Sequence, residues 1–116
     1  KKILDKNINV TATCVRVPVL VSHAESLNIE FEKEFTLEKI INLLNNAEGC
    51  KVVNDQKDGG YMTQLEAAGK DETFISRIRK DNTNEKAINL WIVSDNLLRG
   101  AALNAVEIAE AYIKTK

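Results

Sequence analysis

Within the stretch CVRVPVLVSHAES, Cys14, Arg16 and His23 bring a thiol, a guanidinium and the single imidazole of the chain into ten consecutive positions. Histidine is the side chain whose unperturbed pKa lies near neutrality, so His23 is the obvious candidate for a general acid or base. The plainer alternative is a hydrogen-bonding residue at a strand edge. Arg16 sits among valines, where a guanidinium is costly unless an anion meets it. That partner can come from within the chain, as Glu25, Glu30 or Asp95, or from the carboxylate of a ligand. Cys14 shares strand parity with Arg16, and a neighbouring cation activates a thiol. A sulfur in Val-rich surroundings nevertheless packs like a small hydrophobe, which is the role expected of Cys14.

A second group lies in SDNLLRGAALNA, residues 94–105. It puts Asn96 in the first turn of a helix, where free amides and the positive dipole end favour an anionic or amide-bearing ligand. Simple N-capping is the alternative. Gly59, Gly60 and Gly69 lack the strand-loop-helix setting of a nucleotide fingerprint. Arg77 and Arg79 flank Ile78 and suit a solvated or carboxylate-paired stripe, or a subunit contact. With one His, and with Cys14 and Cys50 far apart outside any CxxC spacing, no metal site is expected.

The elements that must position these groups follow from patterning. Residues 8–19 are rich in Val, Ile and Thr and predict a strand buried on much of both faces, ending near Pro18, with a bend over Val19–Ser22. Leu27, Ile29 and Phe31 alternate with Asn28, Glu30 and Glu32, as in a strand with one face to a core. Thr36 caps a helix carrying Leu37, Ile40, Ile41 and Leu44, and Gly49 stands near its end. A short strand over Lys51–Asn54 precedes the turn residues DQKDGG. Thr73–Arg79 and Ala87–Val93 predict a hairpin. Ser94 or Asp95 caps a final helix with an Ala-rich apolar stripe that needs a large partner surface. The order β-β-α-β-β-β-α predicts an α+β fold, a mixed and largely antiparallel sheet with helices packed on one face.

Length and charge narrow the function classes. The 116 residues suffice for one domain or part of one. Sixteen Lys and Arg balance 17 Asp and Glu, with no long run of either sign, which argues against nucleic acid or an anionic membrane as partner. No apolar stretch approaches the roughly 20 residues that span a bilayer, so a cytoplasmic location is expected. The pattern opens at Lys1 without a polar lead-in, and a fragment is the expectation.

Three stretches in order, TATCVRVPVLVSHAESLNIEFE, GKDETFISRIRKD and NLWIVSDNLLRGAALNAVEIAE, resemble the C-terminal part of the bacterial aspartate-semialdehyde dehydrogenase family. The likeness covers almost the whole chain and is weakest over Glu34–Gln56. It implies an NADP-dependent enzyme of amino-acid biosynthesis that converts aspartyl-4-phosphate to aspartate 4-semialdehyde and phosphate. It also implies a homodimer or homotetramer, and an acyl-thioester formed on a cysteine. By motif position, Arg16 is implied to grip the substrate carboxylate, His23 to be the acid-base residue and Asn96 to contact the cofactor. Residues 1–116 become the C-terminal portion of a substrate-binding and dimerisation domain, with the last helix, about 96–114, packing toward an NADP-binding domain. The family's nucleophilic cysteine lies in a Ser-Cys-Asn motif that this sequence lacks, and Cys14 does not match it. The chain alone is therefore expected to be inactive. Two other readings stand beside this one: a non-catalytic oligomerisation module, and the related N-acetyl-glutamyl-phosphate reductase, which shares the architecture.

Overall fold

A computed structural model describes residues 5–116; the domain expectation of 1–116 extends over residues 1–4, which lie outside the described residues. Strand β1 spans His23–Glu30, helix α1 Leu37–Asn45, strand β2 Cys50–Val52 and the single-turn helix α2 Gln64–Ala67. Strands β3, Thr73–Lys80, and β4, Ala87–Ser94, precede a π-helical turn over Leu98–Ala102 and helix α3 over Leu103–Lys114. The sheet order is β1-β4-β3-β2, with β1/β4 and β3/β4 antiparallel and β2/β3 parallel. The expected α+β class and mixed, largely antiparallel sheet are found.

One face of the sheet forms the main core. Alternation along β4 sends Ile88, Leu90 and Ile92 to the same side as Ile75 and Ile78 of β3, and Leu27 and Ile29 of β1 join them. Helix α1 lays Leu37, Ile40, Ile41 and Leu44 onto that surface, at the spacing its sequence predicts. Its N-cap is Thr36, whose hydroxyl accepts the Lys39 amide. The opposite face is thinner. There Phe74, Val93 and Trp91 pack with Ala67 of α2 and with Met62. The Met62 loop is pinned at both ends of its peptide unit, since its amide donates to Ser76 Oγ and its carbonyl accepts the Trp91 indole N–H at 2.8 Å.

Strand β3 carries one extra residue relative to β4. Ser76 pairs with Trp91 and Arg79 with Asn89, so three steps on one strand oppose two on the other. Arg77 absorbs the bulge with φ +54. The irregularity lets Arg77 and Arg79 both stay exposed while Ile78 returns to the core, its amide donating to Asn54 Oδ1 at 2.8 Å.

The expected strand over residues 8–19 does not form. Residues 9–17 have no regular structure and are exposed, Cys14 and Arg16 included. Val and Ile content reports that a segment suits a pleated sheet, but strands exist only with a partner. β1 is an edge of the described sheet, and among the described residues no strand pairs with this segment. The packing role expected of Cys14 is overturned with it. Cys50, by contrast, is half-buried against the main core.

Candidate functional site at the His23 and Asn96 end of the sheet

The end of β4 and the start of β1 meet across the sheet, with His23 paired opposite Ser94. His23 is exposed and opens β1, so its imidazole stands where the sheet gives way to the preceding bend. Ser22 just before it is buried, with φ +80. Beyond Ser94 the chain turns sharply because Asp95 captures the amides of Leu97 and Leu98 with one carboxylate oxygen, at 2.8 and 3.2 Å. The other oxygen accepts the Gly69 amide at 2.7 Å. The Gly69 amide, followed by those of Leu97 and Leu98, holds the Asp95 carboxyl below the usual range against the opposing effect of burial. Asp95 thus braces the turn ahead of the helical segment, which begins at Leu98 with Leu97 as its N-cap and no side-chain cap, so the cap expected at Ser94 or Asp95 and the helix start expected near Asn96 are not found.

This turn directs Asn96 back toward β1. Its Oδ1 accepts the Ser22 amide at 2.7 Å, a contact spanning 74 positions of sequence. The structure therefore brings His23 and Asn96 to one end of the sheet, through Ser22. It does not tie Arg16 to either. Among the described residues Arg16 forms no ion pair, and none of Glu25, Glu30 and Asp95 serves it, Asp95 being occupied with backbone amides.

The helix following Asn96 is anchored by Arg99. Its Nε donates to the Asp71 carbonyl at 2.9 Å, and its guanidinium also pairs with the Glu107 carboxylate two turns along. The guanidinium passes over Gly49, where a Cβ would stand 2.8 Å from it. Two surface grooves lie elsewhere. One, of about 590 Å³, is lined by Ser26, Thr63, Arg77, Arg79 and Trp91 on the thinner sheet face, and a second flanks α1. Neither is lined by Arg16, His23 or Asn96.

Sequence reasoning passed over Ser22 and Arg99. Nothing marks Ser22, since left-handed backbone is usually signalled by Gly or Asn. Helix α2 also went unread, although Thr63 and Glu66 form the Ser/Thr-x-x-Glu capping box that announces a helix start.

The family model described as semialdehyde dehydrogenase, dimerisation domain, matches residues 1–99. The chain belongs to that family. Among its relatives, aspartate-semialdehyde dehydrogenase of Aquifex aeolicus is 46% identical over 110 residues, covering 95% of this chain and 32% of that protein. The Campylobacter jejuni enzyme of the same name is 43% identical over 116 residues, covering 100% of this chain and 34% of that protein. Aspartate semialdehyde dehydrogenase II of Vibrio cholerae, solved complexed with ASA, superposes with a TM-score of 0.80 at 38% identity, over 88% of this chain and 30% of that one. A probable aspartate-semialdehyde dehydrogenase from Pseudomonas aeruginosa gives a TM-score of 0.74 at 35% identity, over 84% of this chain and 28% of that one. This member of the dimerisation-domain family spans about a third of the length of the curated relatives it matches. Among its described residues no helix is long and apolar enough to cross a membrane.

Proposed function

We propose that this chain is the C-terminal portion of an NADP-dependent aspartate-semialdehyde dehydrogenase, supplying the substrate-carboxylate arginine Arg16, the acid-base histidine His23 and the cofactor contact Asn96. The observation that carries this reading is the Ser22–Asn96 hydrogen bond, which joins the two motifs bearing His23 and Asn96 at one end of the sheet. In this reading the nucleophilic cysteine and the Gly-rich cofactor loop belong to the two thirds of the relatives' length that the chain does not span.

Each residue is suited to its task. Arg16 lies in an exposed arm, and its planar fork matches a carboxylate bidentately. An exposed imidazole at His23 can take a proton from a thiol and return one to a leaving oxygen. NADP, when bound, supplies or accepts the hydride. Asn96 suits a carboxamide-bearing cofactor: its oxygen already accepts the Ser22 amide, and its Nδ2 group can donate.

The exposed apolar residues support burial in a larger assembly. Leu97, Val106, Ile108, Tyr112 and Ile113 are all exposed along the last helix, as are Val15, Val17 and Leu20 in the arm. A monomeric protein seldom leaves that much apolar surface wet. We place the helix against the NADP-binding domain, and the domain as a whole in the contact between subunits of a homodimer or homotetramer.

The test is phosphate-dependent reduction of NADP with aspartate semialdehyde by the full-length protein. Turnover supports the reading. Turnover only with N-acetyl-glutamate semialdehyde transfers the chain to the related reductase, and no turnover with either leaves an oligomerisation module.

A further inference from the structure

The residue before His23 is held in a conformation that its own chemistry disfavours. Ser22 has φ +80, in the left-handed region that glycine adopts freely, asparagine and aspartate at times, and serine seldom. It is 4% exposed, and its buried Oγ has no hydrogen-bond partner among the described residues. A strained backbone with an unsatisfied hydroxyl persists only where its surroundings over-determine it. Among the described residues, the side-chain partner that Ser22 meets is Asn96, whose Oδ1 accepts the Ser22 amide at 2.7 Å.

We infer that Asn96 is a positioning residue for His23: by accepting the Ser22 amide, its oxygen maintains the left-handed turn from which His23 enters β1. The inference rests on the acid-base reading of His23 given above. Asn96 can hold the turn because it is itself fixed. Asp95 beside it is bound by the Gly69, Leu97 and Leu98 amides, and Ser94 is paired with His23 across the sheet. If the Asn96 oxygen is removed, the buried Ser22 amide loses its partner and the strained turn loses its restraint. Relaxation of residue 22 toward extended backbone then swings the chain direction at His23, and the imidazole with it. The same bond divides the Asn96 side chain between two tasks, with the oxygen serving the fold and the nitrogen serving as donor to a bound acceptor.

The two tasks separate in the full-length protein through Asn96→Ala and Asn96→Asp, since an aspartate keeps an oxygen for the Ser22 amide and discards the donor. Both variants are expected to raise the KM for NADP. At saturating NADP and aspartate semialdehyde, Asn96→Ala should lose at least about threefold more kcat than Asn96→Asp, through misplacement of His23. Hydrogen exchange at the Ser22 amide should be fast in Asn96→Ala and slow in Asn96→Asp. Should Asn96→Ala fail to fold, Asn96→Leu, closer to asparagine in size, gives the same comparison. Equal kcat in the oxygen-bearing and oxygen-free variants, with His23→Asn impaired as expected, overturns the inference alone. Wild-type kcat in His23→Asn overturns the acid-base reading, and the inference falls with it.

Discussion

Asp95 Oδ2 accepts the Gly69 amide at 2.7 Å and so fastens the turn after β4 to the loop between α2 and β3. The carboxylate is 3% exposed and accepts three amides in all, which keeps its pKa below the ordinary carboxylate range. A depressed folded-state pKa stabilises the protein fully above the unfolded value of about 3.9 and loses that contribution as pH falls through the folded value. Asp95→Asn should therefore lower the urea midpoint at pH 7, and the gap to wild type should narrow as pH drops below about 4. Glu66, Asp81 and Asp55 are shifted the same way and add to the acid sensitivity of both proteins, but not to the gap between them. Urea melts of the pair at pH 7 and pH 3 check this, and a gap that widens in acid would contradict it.

Gly49 is needed both for its backbone and for its missing side chain. Its φ is +74, and a Cβ there would stand 2.8 Å from the Arg99 guanidinium. Gly49→Ala should destabilise by about 1 kcal/mol or more. Part of that penalty is the clash, so in Gly49→Ala combined with Arg99→Ala the effects should fall short of additive by about 0.5 kcal/mol or more. Thermal melts of the two single variants and the double variant measure the coupling, and strict additivity would count against it.

The centre of the core lies where β3 re-enters it after the bulge. Ile78 is 1% exposed and packs with Ile75, Ile88 and Leu90 beneath α1. Ile78→Ala should cost about 2–5 kcal/mol, whereas Leu65→Ala, at an exposed position of α2, should change stability by no more than about 0.5 kcal/mol. Denaturant unfolding of both variants tests the contrast.

How far these features could be read from the sequence depends on whether their causes were local. The inward positions of Leu27 and Ile29, the Thr36 cap and the α1 stripe rest on spacing within a few residues, and all are found. The β3/β4 hairpin was likewise legible from two β-rich runs around a polar turn. Pairing is not local. Residues 8–19 carry strand composition without a strand neighbour, so composition misled there, and Cys14 and Arg16 came out exposed. The bulge at Arg77 and the π-helical turn over Leu98–Ala102 each insert one residue into a regular repeat, which periodicity alone does not register. At the candidate site, residue type and motif marked His23 and Asn96 as candidates, and the fold brings both to one end of the sheet. The link that joins them, the Ser22 amide on Asn96, required the fold.

In the proposed function, Arg16 grips a carboxylate and His23 moves a proton as parts of an aspartate-semialdehyde dehydrogenase. Steady-state kinetics of the full-length protein with aspartate semialdehyde, phosphate and NADP test it most directly, comparing wild type with Arg16→Lys and His23→Asn. Arg16→Lys should raise the KM for aspartate semialdehyde by about tenfold with a smaller effect on kcat, because a lysine cannot reproduce the bidentate fork. His23→Asn should lower kcat by about a hundredfold or more, the usual worth of a positioned acid-base group. Wild-type kinetics in both variants would contradict the account.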